Sequence, residues 1–419
     1  VSALPTPTDA DQYIREFVTR LVPKALSPTS VDEVKARQTR PSQRKIIKTA
    51  EPIMSVDYIR STVQSFQKAE VYGELGKDPR VITTLDGVVK VLYSTFLYPI
   101  ADTLAQHEWY AFSSTPHGFA KKVQRVAQSG NTTYIVATDY SRWDGTVNSI
   151  DRELEKAILT AAYPDYTEHW RPLWQAGIGS TGYTRHGVKY DTGTSRLSGS
   201  PETSAFNSIE NAFIAYVTYR RFGLSSNDAW NSLGVYGGDD GLTASPTPAG
   251  NFSELYIRTA HEYGHKLKQQ TYFPGDPVIM LGRYFPDPAT SLGSTADLVR
   301  QLSKIQTVAG GLKMLKLADK WKGHLITDPH TPILSTYCRN ALRFCDGSKM
   351  ENKQKLRLDK VKPSAWSAQG GPYPPLASRE EYIECVARQL DILPSAVHSL
   401  EKRLNTARNL DSLFAVRLN

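Results

Sequence analysis

Residues 232–245 read SLGVYGGDDGLTAS. Two aspartates, Asp239 and Asp240, stand side by side between glycines, with apolar, β-favouring residues on both sides. That pattern describes a tight hairpin. Adjacent carboxylates repel unless a cation lies close by. Alone, the stretch also reads as a plain turn, because Asp-Gly is a favoured type I′ sequence. The choice between a turn and a metal site falls to the rest of the chain.

The chain has 419 residues, 40% of them hydrophobic, and a net charge of +8. That length suits two or three domains or one large multi-part enzyme. A basic balance fits a polyanionic partner such as nucleic acid, and also many ordinary proteins. Cys338, Cys345 and Cys385 form no CxxC pair and have no histidines at zinc-finger spacing, so they read as free thiols. His261 and His265 are four apart and suit one helix face, but no HExxH accompanies them. The longest apolar candidate, VLYSTFLYPIA at 91–101, is too short to span a bilayer. No signal peptide is visible. The chain opens VSALPTPTD without a methionine, which reads as a segment of a longer polypeptide with any membrane anchor outside it.

Residues 8–24 read as an amphipathic helix and 31–48 as a basic segment. A second basic segment, QKAEVYGELGKDPRVIT, covers 67–83, and 85–112 reads as a buried aromatic helix. TYIVAT at 133–138 has strand composition and ends at Asp139; 149–163 is helical; 164–197 reads as irregular. A long helix follows, with Ser200 as its cap, Pro201 in its first turn and Gly223 at its end. After the hairpin come a helix at 252–264 and VIMLGRYF (278–285), a strand or hairpin arm. The remainder is mostly helical, interrupted by the linker-like PSAWSAQGGPYPPL (363–376) and closed by a final helix or two. Helices and strands do not alternate regularly, so the expectation is α+β: a small antiparallel sheet with large helical attachments.

TDYSRWDGT puts Asp139 at a strand end and Asp144 five residues later. If that strand lies beside the hairpin, Asp139 and Asp239 converge on two magnesium ions, which need only a few hard oxygen ligands. Three companions support this. In LSGSPETSAFN, Thr203 and Asn207 share a helix face beyond Ser198 and Gly199, suiting recognition of a hydroxyl and a base. Lys68, Lys77 and Arg80 are placed to grip a triphosphate. In YGHKLK, Lys266 or Lys268 suits proton donation to leaving pyrophosphate. The first two alone also read as an ordinary N-capped helix with a polar stripe and a solvated charged loop.

Together these segments resemble the viral RNA-dependent RNA polymerases, with that family's motifs in order. DYSRWDGT resembles motif A, SGSPETSAFN matches SGxxxTxxxN of motif B, and GGDD matches motif C. HEYGHKLK resembles motif D, MLGRYF motif E and KAEVYGELGKDPRVI motif F, while RPSQRKII is a looser match to the template-entry region. KWKGHLITDPHTPILSTYCRNALR at 320–343 is similar to the thumb of nodavirus replicases.

The resemblance implies a right-hand fold with fingers, palm and helical thumb. The expected divisions are an N-terminal extension at 1–24, fingers at 25–132, palm at 133–160, a fingers insertion at 161–197, palm at 198–290, and thumb with C-terminal extension at 291–419. It implies Asp139, Asp239 and, as an auxiliary, Asp240 as ligands of two Mg²⁺ ions (Mn²⁺ substituting), with the Tyr140 carbonyl completing the set. Asp144 and Asn207 would contact the ribose 2′-hydroxyl, assisted by Ser198, Gly199 and Thr203. Lys68, Lys77 and Arg80 would hold the triphosphate, Lys268 would be the proton donor, and Arg283 and Tyr284 would lie near the primer or product strand. Implied partners are template and nascent RNA, NTPs and other parts of a larger viral replicase. The implied location is the host cytoplasm, in membrane-associated replication complexes. A reverse transcriptase is the nearest rival, and a non-catalytic RNA-binding module the rival from another class. Against the first stand Asp144 and Asn207, an acid and an amide suited to bond a 2′-hydroxyl.

Overall fold

The computed structural model describes residues 6–54, 59, 62–73, 76–129, 133–248, 250–310, 314–346 and 371–417. Residues 363–370 of the linker-like stretch lie outside them. The strands are β1 Val63–Gln67, β2 Val81–Thr84, β3 Ile135–Tyr140, β4 Thr181–Thr184, β5 Lys189–Asp191, β6 Val235–Gly237, β7 Asp240–Ala244, β8 Leu267–Tyr272, β9 Val278–Met280, β10 Arg283–Phe285 and β11 Thr295–Ala296. Helices and sheets are mixed without a regular βαβ rhythm. Chain contacts divide into one unit of residues 1–68, 79–113 and 129–274, and another of 69–78, 114–128 and 275–419.

The first unit holds two four-stranded sheets, ordered β6-β7-β3-β8 and β2-β1-β4-β5. The former is antiparallel throughout, with β3 between the hairpin strand β7 and β8. Its inner strands are short, with Ile135 and Val136 of β3 and Leu242 of β7 all buried, as is Val235 on the edge strand β6. Behind it runs the helix Thr203–Phe222, buried from Ala205 to Tyr219. Such a helix is stable only inside a core. The N-terminal helix Ala10–Leu21 joins that core through Phe17, whose ring meets Phe213 at 5.4 Å and Tyr216 at 5.5 Å. Ion pairs Arg220–Glu16 (2.8 Å) and Arg221–Asp9 (2.7 Å) close the same interface.

The second unit has a small sheet ordered β11-β10-β9 and is otherwise helical. Its core gathers Leu298, Leu317, Trp321, Tyr337, Cys338, Val386 and Leu404. No disulfide joins the three cysteines, and all are buried.

Several local readings need correction. The long helix starts at Thr203 rather than beside Ser200, and Glu202 precedes it without a side-chain cap. The reason is a tight turn over 197–200, closed by Ser200 N–H to Leu197 O (2.9 Å) and tied down by Gly199 N–H to Thr83 O (2.8 Å). Gly223 does end the helix, at φ +109°. Residues 164–197 are not irregular: they form a helix, Thr167–Gln175, and the β4–β5 hairpin. The internal Pro172 and the very short strands hid both. His261 and His265 share no helix face, because the helix stops at Glu262 and Gly264, at φ +89°, turns the chain away. The aromatic helix ends at Leu104, and three helices rather than one or two close the chain, at Arg379–Leu390, Pro394–Thr406 and Leu410–Phe414.

Candidate active site

The β6–β7 hairpin pairs Gly237 with Asp240, leaving Gly238 and Asp239 as the two turn residues. Gly238 has φ +67° and Asp239 keeps a negative φ. The turn is therefore not type I′, which needs positive φ at both; glycine first is the type II′ requirement. Asp-Gly, the favoured turn pair in the sequence, is Asp240-Gly241 and lies two residues too late. Thr138 pairs with Gly241, so continuing the register sets Asp139 beside Asp240, with Asp239 next to it at the tip. Asp139 lies within β3 rather than after its end, and faces Lys268 across β8.

The long helix holds this turn. Gly238 N–H donates to Ser208 Oγ at 2.8 Å, while Asn211 Nδ2 donates to Gly238 O at 3.1 Å and to Asp240 O at 3.2 Å. Sequence reading missed Ser208 and Asn211. The signal was present: Asn207, Ser208, Glu210 and Asn211 are polar within an otherwise apolar run, and all are buried. Burial pushes the Asp239 carboxyl pKa up, and the Asp139 and Asp144 carboxylates push it further, against an opposing pull from Arg80. Asp239 thus feels both of the other carboxylates.

Asp144 sits on a one-turn helix, Trp143–Thr146, entered through Arg142 in the left-handed region. Asn207 Nδ2 donates to Asp144 Oδ1 at 2.8 Å, so the two residues expected at the ribose are joined. Behind them lies a buried charge network. Arg196 donates from Nε to Asn207 Oδ1 at 2.9 Å and pairs with Glu155 and Glu210; Arg152 also pairs with Glu155, at 2.8 Å. Burial pushes the Glu202 and Glu210 carboxyls up, whereas at Glu155 the two guanidiniums overcome it and the pKa falls to about 2. His265 braces the Asp144 turn, stacking on Trp143 at 4.4 Å and bonding Thr146 Oγ1 (3.0 Å) and Asp151 (3.1 Å).

Ser198 Oγ bridges the Thr83 N–H and the Val81 O, fastening its loop to β2. At Gly199 a Cβ would stand 3.0 Å from Thr83 O, so only glycine lets the two chains lie this close. The Thr203 hydroxyl donates to the carbonyls of Leu197 (2.8 Å) and Ser200 (3.0 Å) and so shapes the loop. Lys68 N–H bonds Arg80 O at 2.8 Å, which puts both cations at the loop end of the β1–β2 hairpin. Lys77 belongs to the second unit. Lys266 and Lys268 are both exposed. Only Lys268 lies directly opposite Asp139; Lys266 lends its carbonyl to Ser141 N–H at 2.9 Å.

Arg283 and Tyr284 do not fit the role of strand contacts. Arg283 is buried in the second unit, its Nη1 donating to both carboxylate oxygens of Asp328 at 2.8 Å and its guanidinium lying over the Tyr373 ring at 3.8 Å. Tyr284 is buried with Leu376, Tyr382 and Cys385. Both side chains are committed inward, and nothing in an isolated MLGRYF marks Asp328 as the partner.

Among the described residues no cluster of three or more His, Cys, Asp or Glu is drawn up as a metal cage. Magnesium does not require one: it keeps waters and takes one or two carboxylates plus substrate phosphates. Asp139 and Asp239 are hard oxygen donors, and the Asp139 charge helps raise the proton affinity of Asp239, a repulsion that a bound cation relieves. The residues present fit the group.

Residues 78–273 match the family described as viral RNA-dependent RNA polymerase. The chain is 35% identical over 340 residues to the RNA-directed RNA polymerase of Greasy grouper nervous necrosis virus, covering 79% of this chain and 34% of the relative. It is 29% identical over 419 residues to that of Pariacoto virus (97% and 41%), and 28% identical over 420 residues to that of Nodamura virus (94% and 38%). The chain thus spans roughly a third to two fifths of the relatives it matches.

Proposed function

Because the chain belongs to the nodavirus-like viral RNA-dependent RNA polymerases, we propose that it copies an RNA template into RNA from NTPs, releasing pyrophosphate. The observation that carries this is the meeting of β3 and the β6–β7 turn, which sets Asp139 beside the Asp239–Asp240 pair, with the Asp144–Asn207 bond nearby. Asp139 and Asp239, with Asp240 and the Tyr140 carbonyl, would hold two magnesium ions, or manganese in their place, whose chemistry when bound is to acidify the attacking hydroxyl and neutralise the leaving oxygens. Asp144 and Asn207 hydrogen-bond the ribose 2′-hydroxyl and so reject deoxyribose. Lys68 and Arg80 hold the triphosphate, and Lys268 gives a proton to the departing pyrophosphate.

In this reading the β6-β7-β3-β8 sheet is the palm, the β2-β1-β4-β5 sheet with its helices the fingers, and the helical second unit the thumb. Template and product strands are gripped through phosphates and stacking. Among the described residues no helix is long and apolar enough to cross a membrane. Other parts of a viral replicase would bring the chain to membrane-associated complexes in the host cytoplasm.

Extension of a primed RNA template with Mg²⁺, wild type beside Asp239→Asn, tests the proposal. Product from the wild type alone supports it; product from both refutes the carboxylate site. A parallel comparison of NTPs with dNTPs tests the sugar preference. Equal use of both would favour the reverse-transcriptase rival.

A further inference from the structure

We infer that Arg196 is a positioning residue for sugar selection: it locks the amide of Asn207 in the one orientation that gives its N–H to Asp144. This rests on the reading of Asp144 and Asn207 as the ribose sensor. An asparagine amide has two faces of nearly equal shape, one accepting and one donating. Flipped, Asn207 would turn its oxygen on the Asp144 carboxylate and repel it. Arg196 removes that freedom because a guanidinium only donates. Its Nε lies 2.9 Å from one amide atom, which must be Oδ1, and Nδ2 is thereby aimed at Asp144 Oδ1, 2.8 Å away.

The same residue fixes the other half of the pair. Arg196 main-chain N–H donates to the Asp144 carbonyl at 2.8 Å. One residue thus holds the backbone under Asp144 and the amide of Asn207. Arg196 is itself immobile: its side chain is fully buried, with Nη1 on Glu155 and Nη2 on Glu210. Glu155 is anchored in turn by Arg152 and by Trp174 Nε1 at 2.7 Å. Arg152 is tied to the carbonyls of Thr194 (3.0 Å) and Ser195 (2.9 Å), immediately before Arg196. A compact ammonium in place of this fork would keep the buried charge and lose the Nε donor.

The test is a cycle of four proteins: wild type, Arg196→Lys, Asn207→Ala and the double variant. The readouts are kcat/KM for an NTP and for the matching dNTP, with fluorescence-detected binding of the same two nucleotides as a measure independent of turnover. The expected result is that Arg196→Lys lowers the NTP-over-dNTP preference about tenfold, leaves dNTP use unchanged, and has no further effect on preference once Asn207 is alanine. Equal losses for NTP and dNTP, or effects of the two substitutions that multiply, would overturn the inference and leave Arg196 a purely structural residue. If Arg196→Lys does not fold, Glu210→Gln is read instead, since it loosens the same guanidinium with an isostere. A wild-type preference accompanied only by a lower melting temperature would then be the refuting result. If Asn207→Ala alone keeps full preference, the ribose-sensor reading itself fails, separately from the role of Arg196.

Discussion

Gly241→Ala is the sharpest single test of how the carboxylate site is built. A Cβ at Gly241 would stand 2.7 Å from Thr138 Oγ1, 2.8 Å from Tyr236 Cδ1 and 3.2 Å from Asn211 Nδ2. Thr138 and Tyr236 are buried and held in the sheet, so neither can swing clear. Reaching ordinary contact requires β7 to move from β3 by roughly half an ångström, an overpacking that costs about 1–3 kcal/mol. For a unit of this size that lowers Tm by about 2–4 °C per kcal/mol. The larger effect is on chemistry. Thr138 is next to Asp139 and Gly241 next to Asp240, so the strands being forced apart are the two that carry the carboxylates. A displacement approaching 1 Å costs up to about 100-fold in rate. The expected outcome is a modest drop in Tm by calorimetry with a 10- to 100-fold loss of template-directed synthesis. Gly250→Ala is the control: no atom lies within 4 Å of its Cβ, and both readouts should match wild type. Adding Thr138→Ala should restore part of the activity by removing the closest contact. A Gly241→Ala protein with wild-type Tm and rate would refute the claim that strand proximity sets the carboxylate geometry.

Asn211→Ala strips the donor from two turn carbonyls in a buried site; a cost of about 2–3 kcal/mol follows from one net bond and one stranded acceptor, read as lower Tm together with a rate loss at unchanged RNA affinity. Asp328→Asn leaves the Arg283 guanidinium buried without its counter-charge, which should cost about 3–5 kcal/mol in chemical denaturation, whereas Arg283 at a strand-binding surface would instead change RNA affinity with little effect on stability. Glu16 is partly buried, which raises its pKa, but donors from Arg220, Gln12 and Tyr216 bring it down to about 2 from 4.5. Because the folded value is the lower one, its contribution is complete above about pH 4.5 and is lost as pH falls toward 2. Melts across that range should fall less steeply for Glu16→Gln than for wild type, and identical slopes would show that the ion pair does not hold the N-terminal helix.

That Asp139 and the Asp239–Asp240 pair come together was legible in the sequence, because turn chemistry and strand composition are local. Asp139, Asp144, Asp239 and Asn207 are recognisable from their immediate neighbours. What stayed hidden was whatever depended on a partner distant in sequence. Arg196 reads as a loop cation until Glu155 and Glu210 are seen against it. Arg283 reads as a strand contact until Asp328, 45 residues on, claims its guanidinium. Thr203 reads as a ligand until its hydroxyl is found on the carbonyls of its own loop. Asp239 does lie at the hairpin tip, but the turn is not the Asp-Gly pair that local propensity favours: Asp240 and Gly241 already belong to β7, so the turn lies two residues earlier, at Gly238 and Asp239.

The polar residues of the buried helix explain why these parts act together. Asn207 and Asn211 are four apart, one helical turn, with Ser208 between them. The first reaches Asp144, and the other two hold the Asp239 turn. One rigid rod therefore holds both Asp144 and the Asp239 turn, and neither can drift without the other. The buried polar side chains Asn207, Ser208, Glu210 and Asn211 are an unstable choice for a core helix unless they find partners. Asn207, Ser208 and Asn211 find theirs on the site itself, and Glu210 finds Arg196. A substitution on this helix that spares stability but alters sugar preference and rate together is the behaviour this arrangement demands.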